Sequence, residues 1–224
     1  MLEPVIHIAY CEDQHLVRNG VVSLLHEMND RFQVMIVAAD GAELLAKIKA
    51  SSYQPDVCII DVSMPELDGY NTMKQIKTEY HFIKGLALSM YKSKYAILKM
   101  MRHGAHSFLN KDTHPRELEK AIIEIYTNGY YHSGIINEHF PNGINTASSI
   151  KEEFSEHQIA ILEHCALGLT SDEIGKAIHL SKRTIDNNIA ALLVKLNART
   201  RSNLVFRAFE EGVIFDIPDH LVAH

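Results

Sequence analysis

Apolar residues recur with two different spacings in the first half of this chain. Short apolar runs, such as residues 5–10 and 57–60, alternate with longer stretches, such as residues 14–28, in which apolar positions return every three or four residues. The short runs predict β-strands, and the longer stretches predict amphipathic helices. Residues 57–60 contain no polar position, which is typical of a strand that is buried on both faces of a parallel sheet.

Five strand–helix pairs are predicted before Gly129. Repeated β–α alternation predicts an α/β domain over residues 1–130, with a doubly wound five-stranded parallel sheet in which the first strand is central. Pro115 near the first turn of the fifth helix and Gly129 after its last turn mark the ends of that helix. The strands are predicted at residues 5–10, 33–38, 57–60, 85–88 and 107–109, and the helices at residues 14–28, 42–49, 67–79, 94–103 and 115–128.

The pattern changes after the fifth helix. Residues 131–150 contain turn-forming residues, among them Gly134 and Gly143, and predict a linker. Residues 151–213 carry only helical patterns, which predicts a small all-α domain, and residues 214–224 are a C-terminal tail with no assigned role. The four helices of the second domain are predicted at residues 156–167, 171–179, 182–197 and 201–211.

Capping signals mark where these four helices begin. Ser155 and Thr170 are each followed three residues later by Gln or Glu, as in a capping box. Ser181 and Thr200 are further N-cap candidates. Only a turn at residues 180–181 separates the second helix from the third, so these two helices predict a helix-turn-helix.

Composition and charge narrow the class of protein. The chain has 46% hydrophobic and 22% charged residues, which is ordinary for a globular protein. No apolar run reaches the ~18–20 residues that span a bilayer, and no secretory signal is visible, so we expect a cytoplasmic protein without a membrane partner. Three widely spaced cysteines in apolar segments predict buried thiols. The net charge of −6 weighs against a nucleic-acid partner, because contacts to phosphates dominate that affinity.

Polar side chains follow four of the predicted strands. Glu12 and Asp13 come after the first strand, Asp61 after the third, Ser89 after the fourth and Lys111 after the fifth. In parallel α/β sheets, ligands bind outside the carboxyl ends of the strands, so we expect these residues to converge on one crevice. Three carboxylates at one edge of a sheet repel one another and need a cation.

The acidic set favours phosphoryl-transfer chemistry. An incomplete set of oxygen ligands suits Mg²⁺, which keeps waters and binds phosphate oxygens. A carboxylate can attack phosphorus and form an aspartyl phosphate, which makes Asp61 the candidate phosphoacceptor. Lys111 would neutralise the charge of the phosphoryl group, and Ser89 would donate a hydrogen bond to it.

The stretch Asp-Val-Ser-Met-Pro-Glu-Leu-Asp-Gly, from Asp61 to Gly69, resembles the phosphoacceptor loop of the receiver domains of two-component response regulators. The resemblance covers about residues 4–130 and implies the flavodoxin-like fold of these receivers. It implies that a histidine kinase phosphorylates Asp61. It also implies that Asp13, Asp61 and the main-chain carbonyl of Ser63 ligate Mg²⁺, with Glu12 nearby or bound through a water.

The same resemblance assigns the residues that respond to phosphorylation. It implies that Lys111 pairs with the phosphate and that Ser89 and the aromatic Phe108 form the switch pair. The sequence departs from many receivers at two positions. Asp112 stands where many receivers have proline, and Met90 stands where many have a smaller residue.

Residues 154–212 resemble the four-helix DNA-binding module of the NarL/LuxR class, through the stretches Gly-Leu-Thr-Ser-Asp-Glu-Ile from Gly168 and Leu-Ser-Lys-Arg-Thr-Ile from Leu180. The N-terminal half of a recognition helix contacts bases in the major groove, which predicts that role for the start of helix 182–197. Lysine, arginine and threonine bind phosphates, and asparagine can read adenine. Asp172 stands where the class often has lysine. The candidate DNA contacts are Thr170, Lys182, Arg183, Thr184, Asp186, Asn187, Asn188 and Lys195.

The sequence suggests three functions of different classes. The first is a response regulator in which phosphorylation of Asp61 releases the helical domain or favours a homodimer through the last helix. Sequence-specific DNA binding follows, so that the chain regulates transcription. The alternative is a receiver whose helical domain binds a protein partner instead of DNA, which the acidic balance of the chain favours. The third is an aspartyl-phosphate enzyme resembling the haloacid dehalogenase phosphatases. That class has a second aspartate where Ser63 stands, so we expect that the chain is not an enzyme.

Overall fold

The computed structural model describes residues 4–64, 67–90, 92, 94–140, 154–211 and 213–214. These residues fold into two compact units, one N-terminal and one C-terminal. The second part of the predicted linker, residues 141–150, and the predicted tail beyond Ile214 lie outside the described residues.

The N-terminal unit is a five-stranded parallel sheet flanked by helices, which confirms the predicted α/β fold. Its strands are β1 (Ile6–Cys11), β2 (Phe32–Ala38), β3 (Val57–Asp61), β4 (Lys84–Ser89) and β5 (Ala105–Asn110). The helices that follow these strands in turn are α1 (His15–Met28), α2 (Gly41–Ala50), α3 (Gly69–Glu79), α4 (Lys94–Arg102) and α5 (Pro115–Asn128).

The strands lie in the order β2-β1-β3-β4-β5, so the prediction that the first strand is central was wrong. The central strand is β3, and β1 lies beside it. The chain places β2 on one side of β1 and then crosses to the other side to form β3, and the hydrophobic pattern of a strand carries no signal for that crossing. The order reverses between β1 and β3, and ligands of open α/β sheets bind at such a switch point.

The core of this unit explains why the strand ends are held in place. All five residues of β3 are buried, as its unbroken apolar run predicts. Leu25 of α1 and Leu118 and Ile122 of α5 pack with the apolar side chains of the strands in one buried cluster. Helices α2 and α3 contact strands β1 to β4 outside that cluster. Interiors of this kind are close-packed, so the strand ends form a firm base for polar side chains.

The loop after β3 is set by Asp68 and Gly69. Helix α3 begins at Gly69, two residues later than predicted, because the Asp68 carboxylate caps the helix by accepting a hydrogen bond from the Asn71 N–H. A Cβ atom at position 69 would lie 2.2 Å from the carbonyl oxygen of Asp61, so only glycine fits there. The loop therefore returns closely to the end of β3.

Helix α6 (Gly134–His139) lies within the residues predicted as a linker, which corrects that prediction for this stretch. The Ser133 side chain caps the helix, and its hydroxyl donates a hydrogen bond to the carbonyl oxygen of Phe108 at 2.5 Å. Ile136 of this helix is fully buried. Six residues are too few to show a helical period, and Gly134 read as a turn signal, so the sequence pattern did not reveal this element.

The C-terminal unit is all-helical, as predicted. It consists of α7 (Glu156–Ala166), α8 (Ser171–Ala177), α9 (Lys182–Lys195) and α10 (Arg201–Glu210). Both predicted capping boxes are present, at Ser155 and at Thr170, and the side chains of Ser181 and Thr200 cap α9 and α10. Apolar side chains from all four helices, among them Leu162, Ile174 and Leu192, form a single buried cluster.

The turn of the helix-turn-helix is longer than predicted. Helix α8 ends at Ala177, and the turn spans residues 178–181 with His179 in a left-handed conformation at a φ of 57°. The Leu180 N–H donates to the Gly175 carbonyl oxygen at 2.9 Å. A Cβ atom on Gly175 would lie 2.5 Å from the Leu180 carbonyl oxygen, so glycine allows α8 and α9 to meet at this turn.

The three cysteines are buried and unpaired, as predicted. Burial, and to a lesser extent the nearby carboxylates of Asp40 and Glu43, raise the pKa of the Cys11 thiol, so the residue stays protonated and unreactive. No helix within the described ranges is long and apolar enough to cross a membrane.

Candidate functional site

The carboxyl edge of the sheet gathers three acidic side chains at the β1–β3 switch point. Glu12 and Asp13 follow β1, and Asp61 is the last residue of β3. One carboxylate oxygen from each of the three lies within 4.8 Å of the others. Glu12 and Asp61 are almost completely buried. The structure therefore brings together the three carboxylates that the strand ends predicted.

Lys111 joins two of these carboxylates. Its Nζ atom lies 2.7 Å from Glu12 Oε2 and 3.0 Å from Asp61 Oδ2. The lysine reaches this position because its backbone N–H donates to the Ser89 carbonyl oxygen, which holds the loop after β5 against the end of β4. Lys111 is only 11% exposed, so these ion pairs are shielded from water and are stronger than surface pairs.

Burial and the neighbouring charges shift the pKa values of Asp61 and Lys111 in opposite directions. Burial raises the pKa of the Asp61 carboxyl above its ordinary value, and the hydrogen bond and charge of Lys111 oppose that rise. Burial alone would lower the pKa of Lys111, but hydrogen bonds to Glu12 and Asp61 and their negative charges outweigh it, so its pKa is raised. Lys111 therefore stays protonated at neutral pH and offsets part of the acidic charge.

Tyr10 is a member of this site that the sequence reading missed. Its hydroxyl donates to Glu12 Oε2 at 3.1 Å, and the ring is fully buried in β1. The Gln14 N–H donates to the other oxygen, Glu12 Oε1, at 3.3 Å. A signal was present in the sequence, because residues two apart in a strand share a face and Tyr10 precedes Glu12 by two.

The acidic cluster fits a hard divalent cation. Asp13 Oδ1 is shielded from solvent and has no hydrogen-bond partner within the described part of the chain. A buried carboxylate oxygen without a partner is costly, and a bound cation would remove that cost. The Ser63 N–H donates to Asp61 Oδ1 at 3.3 Å, which fixes the backbone beside Asp61. Carboxylate and carbonyl oxygens are the ligands that Mg²⁺ prefers.

The two predicted switch residues lie on neighbouring strands. Ser89 ends β4, Phe108 is in β5, and both are fully buried. Asn110 holds the adjoining loop: its side-chain N–H donates to the Ser89 carbonyl oxygen at 3.0 Å, and its Oδ1 accepts from the Asp112 N–H at 2.9 Å. This amide shapes the turn at the position where many receivers have proline. Met90 is 60% exposed.

The candidate DNA-facing residues lie on α9 and at the start of α8. On α9, four residues at helical spacing are exposed and form one stripe: Arg183, Asp186, Asn187 and Ala190. Ile185 and Leu192 on the opposite side are buried in the core of the unit. The helix is therefore held by its apolar side and presents the predicted contact residues to solvent.

Several predicted contacts have partners within the unit. Lys182 forms an ion pair with Asp172 at 3.2 Å. Asn188 donates from its side chain to the Thr184 carbonyl oxygen at 2.9 Å, whereas the Thr184 hydroxyl lies 2.8 Å from that of Ser181. The two remaining candidates are also engaged: the Thr170 hydroxyl donates to Glu173 Oε2, and the Lys195 ammonium lies 4.1 Å from the centre of the Phe154 ring.

Two family models match the chain in the order of its two units. Residues 8–123 match the response regulator receiver domain, and residues 152–208 match the bacterial regulatory proteins of the luxR family. The first match covers more than half of the chain. The chain therefore belongs to the response regulators. With a receiver domain and a LuxR-type helix-turn-helix domain, it is a DNA-binding transcriptional regulator of a two-component system, and the alternative of a protein-binding output domain is not favoured.

Individual relatives agree with this class. The chain is 29% identical over 215 residues to the uncharacterized transcriptional regulatory protein YxjL of Bacillus subtilis (strain 168), covering 93% of this chain and 97% of YxjL. It is 25% identical over 209 residues to the response regulator VraR of Staphylococcus saprophyticus, covering 93% of this chain and 99% of VraR. A structure of RcsB from Salmonella enterica serovar Typhimurium, bound to promoter rprA with the phosphomimetic BeF₃⁻, has a similar fold. Its TM-score is 0.66 at 19% identity, over 93% of this chain and 100% of RcsB.

Proposed function

We propose that Asp61 is the phosphoacceptor of this response regulator and that a histidine kinase controls DNA binding by phosphorylating it. The observation that carries the proposal is the position of Lys111 Nζ, 3.0 Å from Asp61 Oδ2 at the carboxyl edge of the sheet. Asp61 is thus a carboxylate at the switch point that is already paired with a cation. Such a cation offsets the negative charge of an incoming phosphoryl group.

The transfer itself exchanges one bond to phosphorus for another. An oxygen of the Asp61 carboxylate forms a bond to phosphorus while the bond between phosphorus and the imidazole nitrogen of the kinase breaks, and the electron pair of that bond stays on the nitrogen. Lys111 then pairs with a phosphoryl oxygen. Ser89 donates its hydroxyl hydrogen to the phosphoryl group, and Phe108 moves with Ser89 as the second member of the switch.

The site is proposed to bind Mg²⁺. The ligands are Asp13, Asp61 and the main-chain carbonyl of Ser63, with Glu12 nearby or bound through a water. The unpartnered oxygen Asp13 Oδ1 and the spacing of the three carboxylates support this assignment. Bound Mg²⁺ would neutralise charge on the transferring phosphoryl group.

The chain is proposed to act as a regulator without an enzymatic activity of its own. Phosphatases that use an aspartate nucleophile of the haloacid dehalogenase type carry a second aspartate two residues later, and Ser63 stands at that position. A serine hydroxyl is far too weak an acid to protonate a leaving group as a carboxylic acid does.

For the output domain, we propose that α9 lies in the major groove of DNA. Asn187 is exposed near the start of the helix and would read adenine, and Asp186 would accept from the N4 amino group of cytosine. Arg183 is exposed beside them and would bind phosphate. The other proposed contacts to the DNA backbone or to neighbouring bases are Thr170, Lys182, Thr184, Asn188 and Lys195.

Phosphorylation is proposed to favour a homodimer through α10. Phe206 on this helix is 58% exposed, which leaves a large apolar side chain for a second copy to cover. A two-fold dimer places its two recognition helices about one turn of DNA apart, roughly 34 Å. Two half-sites at that spacing would then be the target.

The phosphoacceptor assignment is tested by labelling the full chain with radioactive acetyl phosphate in the presence of Mg²⁺. We expect label on the wild type, no label on Asp61→Asn, and no label on either when EDTA removes the metal. Asp68→Asn is the matched control, because it makes the same change at the far end of the loop that follows Asp61, and asparagine still caps α3. Label that persists on Asp61→Asn would mean that another carboxylate is the acceptor.

A further inference from the structure

Tyr10 places a hydroxyl group directly behind the acidic pocket. Its ring is buried among apolar side chains of the sheet, α1 and α5, and borders a cavity of about 100 Å³ between these two helices that extends to Lys111. Phenylalanine would fill the same space, so packing does not require the hydroxyl. The hydrogen bond to Glu12 is what distinguishes the two residues at this position.

The Glu12 carboxylate accepts hydrogen bonds from three donors on three different residues. Oε2 accepts from the Tyr10 hydroxyl at 3.1 Å and from Lys111 Nζ at 2.7 Å, and Oε1 accepts from the Gln14 N–H at 3.3 Å. The lysine also contacts Asp61 Oδ2, so Glu12 and Asp61 share one ammonium group. Two of the donors can move, because Lys111 is proposed to turn to the phosphoryl group and the Gln14 contact is long. Tyr10 is fully buried in β1, which pairs with β2 on one side and β3 on the other, so close packing holds its hydroxyl in place.

We propose that Tyr10 is a positioning residue for phosphoryl transfer, whose hydroxyl holds Glu12 in the pocket so that the acidic set is ready for Mg²⁺ and Lys111 stays beside Asp61. The inference rests on the proposed phosphorylation of Asp61. It assigns no contact between Tyr10 and the metal or the phosphoryl group, because the hydroxyl acts through the Glu12 carboxylate.

A consequence follows for the dependence of phosphorylation on Mg²⁺. Without the hydroxyl, Glu12 loses a fixed donor, and its carboxylate turns more freely between Lys111 and the metal position. The free energy needed to fix this carboxylate in one orientation then opposes metal binding. A hydrogen bond to a charged group is strong enough for its loss to raise the half-saturating Mg²⁺ concentration by about three- to tenfold. The maximal rate at saturating Mg²⁺ should change less, because the bound metal orders the site.

The test is a Mg²⁺ titration of the initial labelling rate by acetyl phosphate, using the full chain and Tyr10→Phe. Tyr126→Phe is the matched control. Tyr126 packs against the same core, but near Asp56 and Lys84 at the opposite end of the strands. We expect the half-saturating Mg²⁺ concentration to rise in Tyr10→Phe only, with little change in the maximal rate and with a melting temperature close to that of the wild type.

A second pair of variants separates positioning from a general effect on the fold. In a Glu12→Gln background, the hydroxyl has lost its charged partner, so adding Tyr10→Phe should shift the midpoint much less than it does in the wild type. An unchanged midpoint in Tyr10→Phe, or an equal shift with and without Glu12→Gln, would overturn the role of Tyr10. If the wild type takes no label on Asp61, the proposed function fails and this inference fails with it. If the wild type is labelled in a Mg²⁺-dependent way and Tyr10→Phe behaves identically, only the role of Tyr10 is wrong.

Discussion

The pocket around Asp61 and the exposed side of α9 contain similar kinds of side chain in different surroundings. In the pocket, Lys111 and its two acidic partners are between 0% and 11% exposed, and the Lys111 ammonium lies 2.7 Å from Glu12 and 3.0 Å from Asp61. At the start of α9, the ion pair of Lys182 with Asp172 is about 60% exposed on both sides. Charge interactions strengthen as water is excluded, so the same pairing has a different energetic weight in the two places.

The pocket and the exposed side of α9 depend on the fold in different ways. Parallel strands bring the pocket residues together, and burial strengthens the charge interactions among them. Helix α9 presents the side chains that are proposed to contact DNA, so we expect their charge interactions to strengthen only when bound DNA excludes water. Substitutions in the pocket should therefore change stability and chemistry, whereas substitutions on α9 should change affinity for DNA and leave the fold intact.

The largest effect is expected from Lys111→Ala. Removing the ammonium leaves Glu12 and Asp61 buried without their shared cation, which should lower the free energy of unfolding by about 3 kcal/mol in the absence of metal. Mg²⁺ should restore part of the loss by replacing the missing positive charge. Urea denaturation with and without Mg²⁺ measures both effects. The same denaturation on Lys182→Ala should show a change of less than about 1 kcal/mol, since that lysine is exposed.

Lys111→Ala also tests whether phosphorylation is coupled to DNA binding. The variant should still accept label from acetyl phosphate, but phosphorylation should no longer raise its affinity for DNA, because the lysine that is proposed to pair with the phosphoryl group is absent. Equal losses of stability in Lys111→Ala and Lys182→Ala would contradict the contrast between the two regions.

An intermediate effect is expected from Asn187→Ala. Losing a bidentate contact to a base should weaken specific DNA binding by about 1–3 kcal/mol, with unchanged stability and an unchanged salt dependence, because no phosphate contact is lost. Fluorescence anisotropy with specific and with scrambled duplexes measures the specific and the non-specific affinity. Asn188→Ala is a useful comparison, because its amide is already bonded to the Thr184 carbonyl within α9 and should matter less. A loss of affinity for both duplexes alike in Asn187→Ala would mean that this residue does not read sequence.

The smallest effect is expected from Asp172→Asn. This change releases Lys182 from an exposed ion pair and removes a negative charge near the phosphates, so DNA affinity should rise by about two- to fivefold at low salt. The gain should shrink as salt increases. Glu43→Gln removes the same charge from another exposed pair, with Lys47 on α2 of the N-terminal unit, and serves as the control. An equal gain in both variants would indicate only the effect of net charge.

The two regions also differ in how much of them the sequence could predict. The five strand–helix pairs have clear periods, and polar residues at the ends of parallel strands must lie at one edge. Glu12, Asp13, Asp61 and Lys111 could therefore be placed together from the sequence. The identity of the central strand could not, because local patterns do not encode the crossing from β2 to β3.

Residues outside these strong patterns were harder to predict. Tyr10 was read as part of an apolar strand, although its polar tip points towards Glu12. Helix α6 was missed because six residues show no period. On α9 the exposed positions were predictable, but the pair of Lys182 with Asp172 was not. Its formation depends on the turn at residues 178–181, and Gly175 allows that turn by its contact with Leu180.

The central claim is that a phosphoryl group on Asp61 controls DNA binding by the output domain. The most direct measurement is a footprint on the DNA that flanks this chain's own gene, made with and without beryllofluoride and Mg²⁺, for the wild type and Asp61→Asn. We expect two adjacent protected half-sites that the wild type occupies at lower protein concentration when beryllofluoride is present, and no such response in Asp61→Asn. Equal protection by the wild type with and without beryllofluoride, or a response that persists in Asp61→Asn, would contradict the account.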